Sequence, residues 1–217
     1  MFDTGLRRRL DRPLSAVAAR LDVPLLTPDR LTMAGLLLGL GSAAAAAGQL
    51  WVLALLLWWL SRACDGLDGP LARRRTRHAP DPGSAPVSGR EGSHAGGFLD
   101  ITADFVVYGA TVTGVAVGVW HGSGQSWLPF LFVLLAYYVN GTAFLAFSSI
   151  AERTGRRIDD GRSLSFLGGL AEGGETIVVH SVWLLFPGSA STVAAVWAVV
   201  VALSATQRIV TGYRALS

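Results

Sequence analysis

Four aspartates carry the chemistry that this 217-residue chain can offer. Asp65 and Asp68 are three residues apart, and Asp100 and Asp104 are four apart. Either spacing puts a pair on one face of a helix. Each pair lies at the edge of a long apolar run. Carboxylates at membrane depth are costly and mark function by default. Like charges so close together cannot all stay ionised without cations. Bound metal is the economical answer, and a ligand set made only of oxygen favours Mg²⁺ or Mn²⁺ over Zn²⁺. Four ligands on two helices suit a pair of ions clamping a phosphate or diphosphate. Gly66, Gly69, Ala72, Gly96 and Gly97 surround the pairs, and such small side chains let backbone and ligand approach closely. Arg73, one turn beyond Gly69, is placed to grip phosphate. Helix capping would account for Asp100 at a helix start, but not for Asp65 and Asp68 at a helix C-terminal end.

The elements that must position these residues are apolar spans. Hydrophobic residues make up 51% of the chain and charged residues 15%, where a soluble domain carries about 25% charge. Apolar runs cover 31–48, 50–63, 98–120, 127–150, 164–186 and 189–206. The second is short for a span unless its helix continues through Asp65 to about Ala72. One cysteine, Cys64, excludes a disulfide framework and a Cys-rich zinc site. The cationic balance does not point to nucleic acid. All 18 basic residues are Arg, and they cluster between the apolar runs and at the chain ends. Arg7, Arg30, Arg62, Arg73, Arg90, Arg153, Arg162 and Arg208 all fall on one side of a six-span arrangement, whereas the first, third and fifth connections hold no Arg. The positive-inside rule makes the Arg side cytoplasmic, with both termini and the aspartates there.

The expected fold is therefore an all-α integral membrane protein with six transmembrane helices. An N-terminal interfacial amphipathic helix should precede them over residues 1–30. There Phe2, Leu6, Leu10, Leu14, Val17 and Leu21 recur at helical spacing opposite Arg and Asp, and Pro13 splits the segment. The first long apolar run starts only after residue 30, so the N-terminus does not read as a signal peptide. Residues 31–213 form one six-span domain. Residues 74–95 are a flexible cytoplasmic insertion, rich in Pro, Gly and Ser from residue 78 onward.

Asp65-Gly66-Leu67-Asp68-Gly69-Pro70-Leu71-Ala72-Arg73, followed by Gly96-Gly97-Phe98-Leu99-Asp100-Ile101-Thr102-Ala103-Asp104, resembles the CDP-alcohol phosphotransferase signature, D-x2-D-G-x2-A-R-x8-G-x3-D-x3-D. Every fixed residue is present. The gap from Arg73 to Gly96 is 22 residues where the signature has eight, and a longer loop is thermodynamically mild. Thr27-Pro28-Asp29-Arg30-Leu31-Thr32 is similar to the family's T-P-N-x-L-T lead-in to span one, with Asp for Asn. The resemblance implies that Asp65, Asp68, Asp100 and Asp104 hold two divalent ions, with Asp104 also the general base on the acceptor hydroxyl. Gly69, Ala72, Arg73 and Ser93 would contact the CDP moiety. It further implies a CDP-linked lipid donor such as CDP-diacylglycerol, release of CMP, a place in phospholipid biosynthesis at the inner membrane, and a homodimer.

The acceptor alcohol is the open point, with a lean to glycerol 3-phosphate because it is a widespread acceptor in such families. Arg153, with Arg156 and Arg157, would clamp a phosphorylated acceptor, although topology alone also places Arg there. Glu172, Thr176 and His180 form one stripe at i, i+4, i+8, with Glu175 one position off it. The stripe either lines the acceptor pocket or glues helices together. Gly35, Gly39 and Ala43 mark a close helix contact, and Trp51, Trp58, Trp59, Trp120 and Trp127 read as interface or lipid-facing packing. Two rival classes use intramembrane carboxylates. An Asp-rich prenyltransferase would release pyrophosphate, and an ion or substrate transporter would place its site near midplane.

Overall fold

The structure, a computed structural model, describes residues 26–77, 94–155 and 171–217. They form α1 (Pro28–Ala47), α2 (Trp51–Arg77), α3 (His94–Ser123), α4 (Leu128–Thr154), α5 (Gly173–Leu185) and α6 (Ala190–Leu216), with a 3₁₀ turn at Pro187–Ser189 before α6. The chain packs as two compact units that divide within α3, one ending at Gly114 and the other beginning at Val115.

In the first unit, α1 starts where its chemistry requires. Thr27 is extended, its Oγ1 accepts a hydrogen bond from the Arg30 amide at 3.2 Å, and Pro28 opens the helix with Asp29 in its first turn. A side-chain acceptor satisfies an orphan donor, Pro tolerates the first turn, and an acid complements the helix dipole. A tight turn at Gly48–Leu50, with Gln49 at φ 62°, reverses the chain into α2. The two helices then run antiparallel. Ser42 Oγ donates to the Ala54 carbonyl, and Ser61 Oγ donates to the Gly35 carbonyl, each at 2.7 Å. The small-residue stripe of α1 makes this approach possible. A Cβ on Gly39 would stand 2.6 Å from both methyls of Val107, and one on Gly114 would collide with the Ala43 carbonyl. Without a hydrophobic drive in lipid, such close contact and side-chain-to-backbone bonds hold helices together.

The second apolar run does become a long helix. α2 spans 27 residues and passes unbroken through Asp65, Asp68 and Pro70. Pro70 has no N–H for the Gly66 carbonyl, a local relaxation of the ladder beside the aspartates.

In the second unit, α4 opens on Pro129 and closes on Gly155 in the left-handed conformation, φ 68°. Gln125 ties the 3₁₀ turn to α6: its amide donates to the Pro187 carbonyl at 2.9 Å, and its carbonyl accepts from the Ser191 amide at 3.2 Å. Inside, Trp197 Nε1 donates to Tyr137 Oη at 2.7 Å, and that hydroxyl lies 3.1 Å from His180 Nε2. Phe130 and Trp183 pack edge to face at 5.5 Å, a favoured aromatic geometry.

Among the described residues, four stretches are helical, long and apolar enough to cross a membrane: Pro28–Ala47, Ala95–Ser123, Leu128–Thr154 and Pro187–Leu216. Large apolar side chains such as Leu37, Val52, Leu56, Phe132, Tyr138 and Val196 are exposed, as lipid-facing surfaces are. Trp58 departs from the expectation of lipid-facing packing. It is fully buried, enclosed with Tyr108 at a ring separation of 6.0 Å. The N-terminal amphipathic segment, most of the 74–95 insertion and the start of the fifth apolar run lie outside the described residues.

Candidate active site

The site lies wholly in the first unit, at the C-terminal half of α2 and the N-terminal third of α3. Asp65 and Asp68 share a face of α2, and Asp100 and Asp104 share a face of α3. The two helices are tied at one point by Arg62, one of the Arg residues that cluster between the apolar runs. Arg62 sits one turn before Asp65. Its Nη1 donates to Asp104 Oδ1 at 2.6 Å and lies 3.6 Å from Asp65 Oδ2. One carboxylate of each pair therefore faces the same guanidinium nitrogen.

Arg62 is held from behind. Nη2 donates to Ser61 Oγ at 3.0 Å, and Nη1 also reaches the Tyr108 hydroxyl at 3.4 Å. The guanidinium carbon lies 5.2 Å from the centroid of the Trp58 ring and 5.1 Å from that of Tyr108. Both distances are within cation–π range. The Arg62 side chain is 4% exposed, whereas those of Asp65 and Asp104 are 30% and 33% exposed. The positive charge is thus the floor of the site and the carboxylates are its open rim.

Asp68 is fixed independently. Thr32 Oγ1, from α1, donates to its Oδ2 at 2.7 Å, and the Gly69 amide donates to its Oδ1 at 2.6 Å. Bonds to an ionised acceptor are among the stronger ones. Three helices therefore contribute to the carboxylate cluster. Asp100 lies partly exposed on the first turns of α3. Gly69 lies beneath the Arg73 guanidinium, where an added Cβ would meet Nη1 at 3.3 Å. Ala72 is half-buried on the following turn, and Gly97 faces open space. Ser93 lies outside the described residues.

Among the described residues, no three Asp, Glu, His or Cys side chains converge tightly enough to hold an ion in this conformation. The positive charge between Asp65 and Asp104 is supplied by Arg62 instead. An oxygen-only donor set on facing helices, already drawing a cation between them, fits a divalent metal in its chemistry.

The remaining candidates belong to the second unit. Arg153 is exposed in the last turn of α4. Glu172 caps α5, buried, with its backbone carbonyl accepting from Thr176 Oγ1 at 2.9 Å. Thr176 and His180 are also buried, so the stripe turns inward. Glu175 Oε2 is buried with no hydrogen-bond partner among the described residues.

Sequence reasoning missed Arg62, Tyr108 and the role of Thr32. A signal for Arg62 existed, since it stands three residues before Asp65, the spacing of a helical ion pair. Nothing in the sequence marked Tyr108.

No protein-family model matches the chain. The inner membrane protein YnjF of Escherichia coli K12 is 35% identical over 191 residues, covering 86% of this chain and 83% of that protein. Among solved structures, Mycobacterium tuberculosis phosphatidylinositol phosphate synthase PgsA1 with CDP-DAG bound superposes with a TM-score of 0.67 at 21% identity, covering 94% of each chain. The same synthase in complex with manganese and citrate gives 0.68 at 22% identity, covering 92% of this chain and 88% of that one. The chain belongs to the family of the inner membrane protein YnjF, and its fold is that of the CDP-alcohol phosphotransferases.

Proposed function

We propose that this protein is a divalent-metal-dependent membrane enzyme that transfers a phosphatidyl-type group from a CDP-linked lipid to an alcohol, with release of CMP. The observation that carries the reading is the meeting of Asp65 and Asp104 at one guanidinium nitrogen. It turns two motifs separated in sequence into one carboxylate-lined site. The solved structures support the ligand classes, since PgsA1 was captured with CDP-DAG and with manganese.

Asp65, Asp68, Asp100 and Asp104 would hold Mg²⁺ or Mn²⁺. The metal neutralises the diphosphate and stabilises the departing CMP. Gly69 and Ala72 offer a low surface against which the nucleotide can lie, and Arg73 pairs with phosphate oxygen. Thr32 and the Gly69 amide hold the Asp68 carboxylate in one orientation, limiting what must reorganise on binding. The acceptor oxygen forms a bond to the β-phosphorus of the donor while the bond to the CMP oxygen breaks. Asp104 takes the proton of the acceptor hydroxyl, a role worth about 10²–10⁴-fold. In this reading six helices span the inner membrane, with both termini and the site on the cytoplasmic side. Arg153, Glu172 and Glu175 are assigned to the acceptor, and the lean to glycerol 3-phosphate stands as a proposal.

The test is incubation of the purified protein with CDP-diacylglycerol, Mn²⁺ and a panel of alcohols including glycerol 3-phosphate, inositol phosphate and serine. CMP should appear with one acceptor and disappear on chelation. Pyrophosphate release from a polyprenyl diphosphate, with no CMP from any alcohol, would contradict the reading.

A further inference from the structure

Arg62 is a charge that the four-aspartate chemistry does not require, yet it occupies the middle of the cluster. Its side chain is buried, lies within cation–π distance of both the Trp58 and the Tyr108 ring, and is anchored through Ser61, whose hydroxyl is itself bonded to the Gly35 carbonyl of α1. A guanidinium buried and bonded in this way is less free to turn into water than a surface Arg. It is delocalised, always charged and weakly hydrated, the properties that let a cation remain in such a place.

The position matters as much as the burial. Nη1 is 2.6 Å from Asp104 Oδ1 and 3.6 Å from Asp65 Oδ2, so it engages one carboxylate of each pair. A divalent ion shared by the α2 and α3 pairs would draw on those same two carboxylates. Ion and guanidinium repel each other, and a lone pair directed at the N–H is not available to metal. Without metal, the same contact offsets repulsion between Asp65 and Asp104, which would otherwise push α2 and α3 apart. Arg62 is the buried member of these pairs, and taking its carboxylate partners away would leave a buried charge unpaired, so the contact favours the metal-free arrangement.

We propose that Arg62 is a built-in counter-cation that competes with divalent metal for Asp104, weakening metal binding and holding the two aspartate pairs together when no ion is present. The proposal rests on the metal-site reading above and adds to it a residue that sets affinity rather than one that binds the ion.

Mn²⁺ binding to the purified full-length protein, measured by the loss of the free-ion electron paramagnetic resonance signal, tests this without any turnover. Arg62→Gln keeps a hydrogen-bond donor and removes the charge. It should bind Mn²⁺ about tenfold more tightly than wild type, roughly the effect of 1.4 kcal/mol. Its unfolding temperature should fall in chelator and recover on adding Mn²⁺. Arg62→Lys keeps the charge and loses the planar fork, and its Mn²⁺ affinity should stay within about threefold of wild type. Equal or weaker Mn²⁺ binding by Arg62→Gln, or tightening by Arg62→Lys as large as that by Arg62→Gln, would overturn the proposal while leaving the metal site standing. Absence of Mn²⁺ binding from wild type and Arg62→Gln alike would overturn the metal reading and this proposal together. If Arg62→Gln does not fold, an experimental structure of wild type with Mn²⁺ decides. Arg62 Nη1 displaced from Asp104 Oδ1 supports competition, and the 2.6 Å contact retained beside bound Mn²⁺ overturns it.

Discussion

Thr32 and Asp68 lie 36 residues apart in sequence and are joined by a 2.7 Å hydrogen bond. The bond makes the T-P-D-R-L-T segment part of the site. Thr27 starts α1 at a fixed point, and Thr32, just over one turn on, reaches across to α2. The Thr27 cap thus fixes the start of a helix whose Thr32 hydroxyl braces the Asp68 carboxylate.

Thr32→Val keeps the shape and removes the donor. A hydrogen bond to a charged group contributes about 1.5–3 kcal/mol. The variant should lose about that much stability in a detergent unfolding titration, and its CMP release should fall by about tenfold or more. Thr32→Ser should restore most of both. An unchanged Thr32→Val would remove the brace from the account of Asp68.

Gly39→Ala should destabilise the first unit. The new Cβ would stand 2.6 Å from two Val107 methyls on a buried helix face, and overpacking of this kind costs about 1–3 kcal/mol. The double variant Gly39→Ala with Val107→Ala should recover part of the loss, measured by thermal unfolding. A second mutation that only adds to the loss would show that the crowding is elsewhere.

Gly69→Ala should behave differently, because its neighbour at 3.3 Å is the end of the flexible Arg73 side chain, not packed backbone. The unfolding temperature should hold while the apparent affinity for the CDP-lipid weakens, with a rise in KM about matching that of Arg73→Ala. A drop in stability with normal KM would place Gly69 in the scaffold instead of the nucleotide site.

In the second unit, Tyr137→Phe removes the hydroxyl that serves both Trp197 Nε1 and His180 Nε2. Leaving a buried donor unsatisfied costs about 1–3 kcal/mol. Thermal unfolding should show that loss, and Trp197→Phe added to Tyr137→Phe should cost less than the sum of the two single changes. Strict additivity would mean the pair is not coupled.

Much of the arrangement was legible because intramembrane physics leaves few options. The extension of α2 through Asp65 is what the six-span expectation required of it, since a run ending at residue 63 is too short to cross, and the helix does continue to Arg77. Gly35, Gly39 and Ala43 announced a close helix contact by size and spacing, and Ser61, Cys64, Val107 and Gly114 are what they meet. Glu172, Thr176 and His180 are all buried, so the stripe that the i, i+4, i+8 spacing predicts does turn inward. Arg62 was not legible as a site residue for a physical reason. In sequence it is one of the Arg residues that cluster between apolar runs, a pattern the positive-inside rule accounts for without a partner, and only the structure puts Asp104 against it. Trp favours interface or lipid-facing positions, whereas at Trp58 the buried guanidinium supplies a different partner. Tyr108 and the Thr32–Asp68 bond are contacts between distant segments, and such pairings leave no mark on local periodicity.

The most direct test of the central claim is CMP release from CDP-diacylglycerol by wild type and Asp104→Asn side by side, with Mn²⁺ and the preferred alcohol. Wild type should release CMP, and the amide, unable to accept the hydroxyl proton, should lower the rate by about 10²–10⁴-fold while CMP still binds. A rate for Asp104→Asn equal to wild type, or wild-type turnover unaffected by full chelation, would contradict it.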